Sequence, residues 1–292
     1  MNCLAFGEIL WDIIDGKKFL GGAPLNFATH FVKCFEQASL ISAVGKDKLG
    51  KLAEAEIQKL GVDTSLIQVN ADYKTGTVDV SLTKEGQPDY KINSPVAYDF
   101  ISKSFRSMIA KDFDIFYFGT LSQRNAKSQD TLYSILTSRK FKHIFFDINL
   151  RKDCYNEVVI RKSLSHCTIL KINEEEVKIV SFMLFGKILE MEVFISSLLS
   201  EYNIETIIIT CGSNGCFIKH GNLFQHLESE PVKVVDAVGA GDAFSAAFMK
   251  VFISTKNPIS AGKIANRVGA FVVSHKGAIP KYSDELVKLL SF

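Results

Sequence analysis

Cysteine and histidine are present but not arranged for metal or redox chemistry. The six cysteines make no CxxC pair, and the six histidines show no HExxH or other paired ligand spacing, which excludes a transition-metal site. Cys3, Cys34, Cys154, Cys167, Cys211 and Cys216 mostly lie in apolar segments and read as buried reduced thiols. Excess charge is missing too: a formal net charge of +2 with no basic run excludes a nucleic-acid partner. No stretch approaches the roughly 18 uncharged apolar residues needed to cross a bilayer, so no membrane partner is expected. The opening MNCLAFGEILWDIIDG carries Glu8 and Asp12 and lacks a basic leader region. It reads as a first strand rather than a signal peptide, and the expected location is cytoplasmic. Repeats, low-complexity tracts and Pro/Ser-rich linkers are also lacking. That argues for a single domain over 1–292, although the length would allow two.

What is present is globular: 47% hydrophobic and 23% charged residues, enough to bury a large core. Strand-like runs (CLAFGE, SLISAV, DIFYFG, HIFFDIN, TILKIN, ETIIITC) alternate with helical patterns such as PLNFATHFVKCF, KLGKLAEAEIQKLG and SQDTLYSILTSRK. Helices are expected near 241–254, 258–275 and 283–290. Short apolar strands spaced by helices predict a doubly wound, mostly parallel α/β sheet covered on both faces. One segment differs: in GTVDVSLTKEGQPDYKI, Val78, Val80 and Leu82 recur at period two, KEGQP makes a turn, and Tyr90 and Ile92 continue the pattern. This is an inserted antiparallel hairpin, with DIIDGKKFLGG as a second one nearby. Such a β layer suits a cleft cover, a dimer contact or a plain edge hairpin.

Two glycine patterns are set aside. Gly45-x4-Gly50-Lys51 has P-loop spacing, but Leu52 stands where the magnesium-binding hydroxyl belongs. Gly239-x-Gly241 resembles the start of a dinucleotide fingerprint, but Phe244 replaces its third glycine. In VVDAVGAGDAF, Gly239, Ala240 and Gly241 leave the backbone bare before a helix whose positive end could hold a phosphoryl group. Asp242 reads either as that helix's cap or as a general base accepting a hydroxyl proton.

Residues 236–242, DAVGAGD, resemble the D-T-x-G-A-G-D signature of the ribokinase / phosphofructokinase-B family of sugar kinases. Gly21-Gly22-Ala23-Pro24-Leu25-Asn26 resembles its N-terminal signature in the GGAPxN form common in fructokinases, and Gly7 to Asp12 (GEILWD) resembles the fructokinase start. Asp147-Ile148-Asn149-Leu150-Arg151 is similar to D-x-N-x-R, Asn173 to Glu176 to N-x-x-E, and Cys211 to Gly215 to the G-x-x-G turn near ATP. The inserted hairpin matches the family's β lid, with lid segments at about 12–21 and 75–97. The likeness spans nearly the whole chain.

The resemblance implies a ribokinase-like fold and ATP-dependent phosphorylation of a sugar hydroxyl, with fructose favoured and ribose, 2-keto-3-deoxygluconate or a nucleoside as alternatives. It implies Asp242 as base and Gly239, Ala240 and Gly241 as anion hole. Asp12, Gly21, Gly22 and Asn26 would bind sugar, and Arg151, Asn173, Gly212, Gly215 and Asn266 would lie on the ATP side. Glu176 would serve Mg²⁺ through water, although Glu174, Glu175 and Glu176 also read simply as an acidic first helical turn. Asp236 allows a K⁺ site, and an apolar lid face would suit a homodimer. A non-catalytic sugar- or nucleotide-binding homologue remains the rival from another class. One departure stands out: Ala237 replaces the signature's usual Thr.

Overall fold

The computed structural model describes residues 1–82, 88–104 and 112–291; of 80–82 and 88–90 it describes the main chain only. Residues 83–87, which hold most of the expected KEGQP turn, lie outside the described residues.

Two sheets organise the chain. The larger begins with β1 (Asn2–Phe6), which lies third from one edge, between β4 (Gln37–Gly45) and β8 (Ile115–Phe118). Beyond β4 is β5 (Ile67–Asn70); beyond β8 follow β9 (His143–Asp147), β10 (Ile169–Asn173) and β11 (Thr206–Thr210). All these neighbours pair in parallel. The hairpin of β12 (Cys216–His220) and β13 (Leu223–Leu227) adds an antiparallel edge that the sequence reading did not anticipate. Chain order reverses on the two sides of β1. Such a topological switch point opens a crevice at the carboxyl ends of the strands.

Period-two alternation sends successive side chains of each central strand to opposite faces. Cys3 and Ala5 of β1 and Ile115 and Tyr117 of β8 join one core, while Leu4, Phe6, Phe116 and Phe118 join the other. The first core is closed by α1 (Ala23–Lys33), α2 (Lys48–Lys59), α7 (Ala240–Thr255), α8 (Pro258–Val273) and α9 (Asp284–Leu290). Across the sheet lie α3 (Ala126–Ser138), α4 (Glu157–Leu164), α5 (Glu174–Phe185) and α6 (Met191–Glu201). Burial on both faces explains the near-continuous apolar strands. Phe27 of α1 stacks on Tyr117 at 3.9 Å between ring centroids, both fully buried. Each such ring contributes about 1.5–3 kcal/mol from burial alone. All six cysteines are free and buried, as expected.

The smaller sheet runs β3 (Lys17–Gly21), β2 (Leu10–Ile14), β6 (Gly76–Leu82), β7 (Pro88–Ile92). Both expected hairpins are there, joined by the parallel pairing of β2 with β6. Leu10 and Val78 on its inner face pack with Tyr98, Leu121 and Cys154 in a third, smaller core.

Asp47 fixes this sheet to the larger one. It caps α2 through Gly50 N (2.8 Å) and also accepts from Thr75 N (2.8 Å) and Thr75 Oγ1 (2.7 Å), immediately before β6. Thr75 Oγ1 in turn accepts from Gly45 N, at the end of β4. Partial burial alone would raise the Asp47 pKa, but the hydrogen bonds from Thr75 and Gly50 outweigh it and the pKa is lowered. The stabilisation is therefore present above the ordinary value of 3.8 and lost as pH falls through the lowered one. Asp47→Ala is expected to cost about 1–2 kcal/mol in urea unfolding at pH 7, with the difference from the unaltered chain vanishing in acid.

Candidate active site

The stretch leading into α7 is not a strand. Val234 and Val235 are exposed, and the N–H groups of Val235 and Asp236 donate to Val273 O at the end of α8. Asp236 then closes the loop with both oxygens: Oδ1 accepts from Val238 N and Oδ2 from Gly277 N, each at 3.0 Å. Gly239 takes φ +78° and caps α7, and a Cβ there would lie 2.6 Å from Ala278 O. This position requires glycine both for its conformation and for the close approach.

Asp242 is not the cap. It sits in the first turn of α7, buried, with no side-chain cap bond at that helix end. Its Oδ2 instead accepts a 2.9 Å hydrogen bond from Asn26 Nδ2. Burial, reinforced by the negative charge of Asp147, raises its pKa from 3.8 to about 7 against the pull of Asn26, Lys171 and Arg151. A carboxylate balanced near neutrality can take up or release a proton at working pH. The Gly239–Gly241 turn places the first N–H groups of α7, which have no acceptor within the helix, beside it.

Asn26 reaches Asp242 because α1 starts in the right place. Gly22 (φ +118°) is the cap residue of α1, and a Cβ on it would collide with Glu8 O. The N–H of Ala23 donates to Glu8 Oε1, tying the helix start to the end of β1. Glu8 Oε2, Asn26 Oδ1 and Ser122 Oγ are buried without a hydrogen-bond partner among the described residues. Asp12 lies within β2 of the smaller sheet, in the segment from 12 to 21 expected to form part of the lid. Burial raises its pKa to about 6, opposed by Arg151. Its Oδ2 lies against Gly21, 3.1 Å from where a Cβ would stand.

Lys171 and Asp147 went unrecognised as site residues. Lys171 Nζ lies 2.9 Å from each Asp147 oxygen, and both side chains are buried. Asp147 Oδ2 also accepts from Tyr117 OH (3.1 Å) and Ser245 Oγ (3.3 Å). The available signal was a lysine in the middle of an otherwise apolar strand, ILKIN. Gly241 faces this pair: a Cβ on it would sit 3.3 Å from Lys171 Nζ.

The remaining expected residues divide between the site and the scaffold. Arg151 is exposed and close enough to lower the pKa of Asp12, Glu8 and Asp242. Asn173 and Glu176 form a reciprocal cap of α5, with Asn173 Oδ1 accepting from Glu176 N and Glu176 Oε2 from Asn173 N. Glu176 Oε1 accepts from Leu150 N, steadying the loop that carries Arg151. Among the described residues no three His, Cys, Asp or Glu side chains converge as a metal cage. Gly212 and Gly215 bracket the turn between β11 and β12, and a Cβ on Gly215 would collide with Leu227 O. Asn266 donates to Leu227 O (2.9 Å) and Glu228 O (3.2 Å), holding the end of β13.

A doubly wound sheet with a small second sheet, and a buried acid at a glycine-led helix start beside the sheet's switch point, define a ribokinase-like sugar kinase. The chain belongs to the pfkB family of carbohydrate kinases, which matches residues 4–285. An uncharacterized sugar kinase from Pyrococcus horikoshii is 30% identical over 307 residues, covering 97% of this chain and 94% of that protein. Its structure in complex with ATP superposes with a TM-score of 0.84 at 28% identity, covering 98% of this chain and 97% of that one. Fructokinase from Escherichia coli is 25% identical over 272 residues (89% of this chain, 87% of that protein). 2-Dehydro-3-deoxygluconokinase from Haemophilus influenzae is 26% identical over 304 residues, 96% of either chain. No helix among the described residues is long and apolar enough to cross a membrane.

The raised pKa of Asp242 has a consequence for stability. The native chain holds this proton up to about pH 7, whereas the unfolded chain releases it near 3.8. Stability therefore declines as pH rises between those values. Asp242→Asn, which has no proton to release, should unfold with a midpoint above that of the unaltered protein at pH 8, by about 2 kcal/mol or more. The two should converge below pH 4, as followed by thermal unfolding across pH.

Proposed function

We propose that this kinase transfers the terminal phosphoryl group of ATP to a hydroxyl of fructose, forming fructose 6-phosphate. The observation that carries the reading is the buried Asp242, hydrogen-bonded to Asn26 and titrating near neutrality beside the glycine turn. Asp242 accepts the proton of the attacking hydroxyl, and the oxygen forms its bond to phosphorus as the bond to the ADP oxygen breaks. The N–H groups around Gly239, Ala240 and Gly241 receive the charge that develops on the phosphoryl oxygens. Asn26 holds the base in place.

The sugar side is built for hydroxyls. Asp12 and the unpartnered oxygens of Glu8, Asn26 and Ser122 gather near the crevice beside β1, and Gly21 and Gly22 let a ligand approach. Buried polar atoms left without partners are satisfied when a polyhydroxylated ligand enters. The charge balance favours a neutral sugar over a sugar acid. Arg151 is one cation facing Asp12, Glu8 and Asp242, while Arg124 is committed to Asp99 and to Asn93 O. Fructose is preferred on that ground to 2-dehydro-3-deoxygluconate. A ribose or nucleoside substrate is the remaining alternative. The smaller sheet serves as a lid that carries Asp12 and excludes water, which would otherwise compete for the phosphoryl group. Ile14 and Phe19, exposed on Asp12's side of that sheet, would meet a second copy in a lid-paired homodimer.

On the nucleotide side, Arg151 would face the phosphates, and the Gly212–Gly215 turn and the Asn266 segment would flank the base. Both Glu176 oxygens already accept backbone N–H groups. This fits an ion that arrives on the nucleotide and touches the protein through water, the usual habit of Mg²⁺ with nucleotide phosphates. Bound there, Mg²⁺ would neutralise phosphate charge. Asp236 offers a carboxylate for K⁺ beside the turn.

An ATP-coupled assay over fructose, ribose, 2-dehydro-3-deoxygluconate and nucleosides, with Mg²⁺ and K⁺ present, tests the reading. Fructose should give the highest kcat/KM, and Asp242→Asn should reduce turnover on the order of 1000-fold. Because the base must be ionised, the rate should fall about tenfold per pH unit below about pH 7 and level off above it. No turnover with any sugar would refute the kinase reading, and near-full activity in Asp242→Asn would refute the base.

A further inference from the structure

The Lys171–Asp147 pair takes no part in the chemistry described so far, yet it lies against the start of α7, which carries Asp242. Asp147 ends β9 and Lys171 lies on the neighbouring strand β10, where their parallel register sets them directly opposite. The pair is locked from several sides. Both Asp147 oxygens take the ammonium at 2.9 Å, and Tyr117 from β8 and Ser245 from α7 donate to Oδ2. Ser245 Oγ also lies 2.9 Å from Gly241 O, so its one hydroxyl proton is shared between that carbonyl and Asp147 and couples the pair to the first turn of α7. The ammonium presses on Gly241, where even a methyl group would stand 3.3 Å from it.

A buried ion pair contributes little net stability, so its retention calls for another explanation. We propose that Lys171 and Asp147 are positioning residues for the base: Asp147 is the fixed negative charge against which Asp242 ionises, and Lys171 is the fixed positive charge that lets it do so. This inference rests on Asp242 being the base.

The surroundings of Asp242 leave few other charges to do this. From α1 comes the Asn26 amide, which is neutral. Tyr117 on β8 is buried, and its pKa is driven well above 10 by burial and by Asp147 and Asp242, so it stays neutral. Glu8, after β1, is held by Ala23 N, and Glu176 on α5 by the N–H groups of Asn173 and Leu150. On α8, Gly269 packs against Ala240 and Phe244 and carries no charge. Arg151 remains as the second cation, but it is exposed and water screens it. The close, dry charges are Asp147 and Lys171, which act on Asp242 with opposite signs.

Opposite signs give a test that a scaffold role cannot imitate. Lys171→Met leaves Asp147 uncompensated, so the acid limb of the kcat/KM–pH profile should move up by about one pH unit. Asp147→Asn removes the like charge and keeps the ammonium, so the limb should move down. The double variant Lys171→Met/Asp147→Asn should return it near its original position. Profiles are measured with the best sugar substrate, alongside thermal unfolding of each variant. If Lys171→Met does not fold, the Asp147→Asn and double-variant profiles decide. A limb that stays in place in Asp147→Asn, or that moves the same way in both single variants, overturns the proposal. Failure of the unaltered protein to phosphorylate any sugar would instead count against the kinase reading itself.

Discussion

The hydrogen bond from the Asn26 amide to the Asp242 carboxylate joins two helix starts 216 residues apart in the chain, and the site depends on it. Each end is fixed by backbone geometry rather than by side-chain length. At one, Glu8 holds Ala23 N and Gly22 turns the chain into α1; at the other, Gly239 turns it into α7. One turn further along α1, His30 makes a second link. Burial lowers its pKa to about 4 and keeps the ring neutral, and since Ala278 O can only accept, Nε2–H donates to it at 2.9 Å. Nδ1 is left to accept from Tyr282 OH at 2.7 Å. Ala278 is the residue that crowds Gly239. One face of one helix thus registers both the base and the turn beside it, and errors in either would be felt within tenths of an ångström.

Around that bond the site is assembled from charges that would be costly alone. Asp242, Asp147, Glu8 and Glu176 are all buried, and Lys171 is buried with them. Three means hold these acids in place: an amide for Asp242, an ammonium for Asp147, and backbone N–H groups for Glu176 and Glu8. Glu8 Oε2 is buried without a partner among the described residues. Asp147 is paired with an ammonium, whereas Asp242 has a neutral amide as its partner and, with its pKa raised to about 7, can exchange a proton. The same burial that makes the acid useful makes it destabilising when ionised, a trade-off expected at catalytic positions.

Much of this was legible in the sequence because it obeys local rules. The central strands were readable as apolar runs, since both sheet faces are covered, and the three last helices fall within about two residues of their expected bounds. The glycine turn and the double glycine each lead into a helix, and the N-x-x-E acids open one, as their local sequence suggests. What escaped has tertiary causes. The parallel pairing of β2 with β6, which joins the two hairpins, links segments more than 60 residues apart and left no local trace. The β12–β13 hairpin was missed because Leu223–Leu227 is largely exposed and shows no clean alternation. Asp242 could not be separated from a cap, because its partner lies at the far end of the chain. Lys171 is a lone lysine in an apolar run, and its partner Asp147 sits opposite it on a neighbouring strand that sequence order alone does not reveal.

The departure at Ala237 can be understood on the same terms. The loop before α7 is held by Asp236, whose two oxygens take Val238 N and Gly277 N, and by the N–H groups of Val235 and Asp236 on Val273 O. None of these bonds involves the side chain at 237, which is exposed. A hydroxyl there would face water or an ion rather than the loop's own tether. The geometry that places Gly239 against Ala278, and through it the start of α7, is therefore complete without it. What the alanine changes is confined to what approaches the loop from solvent.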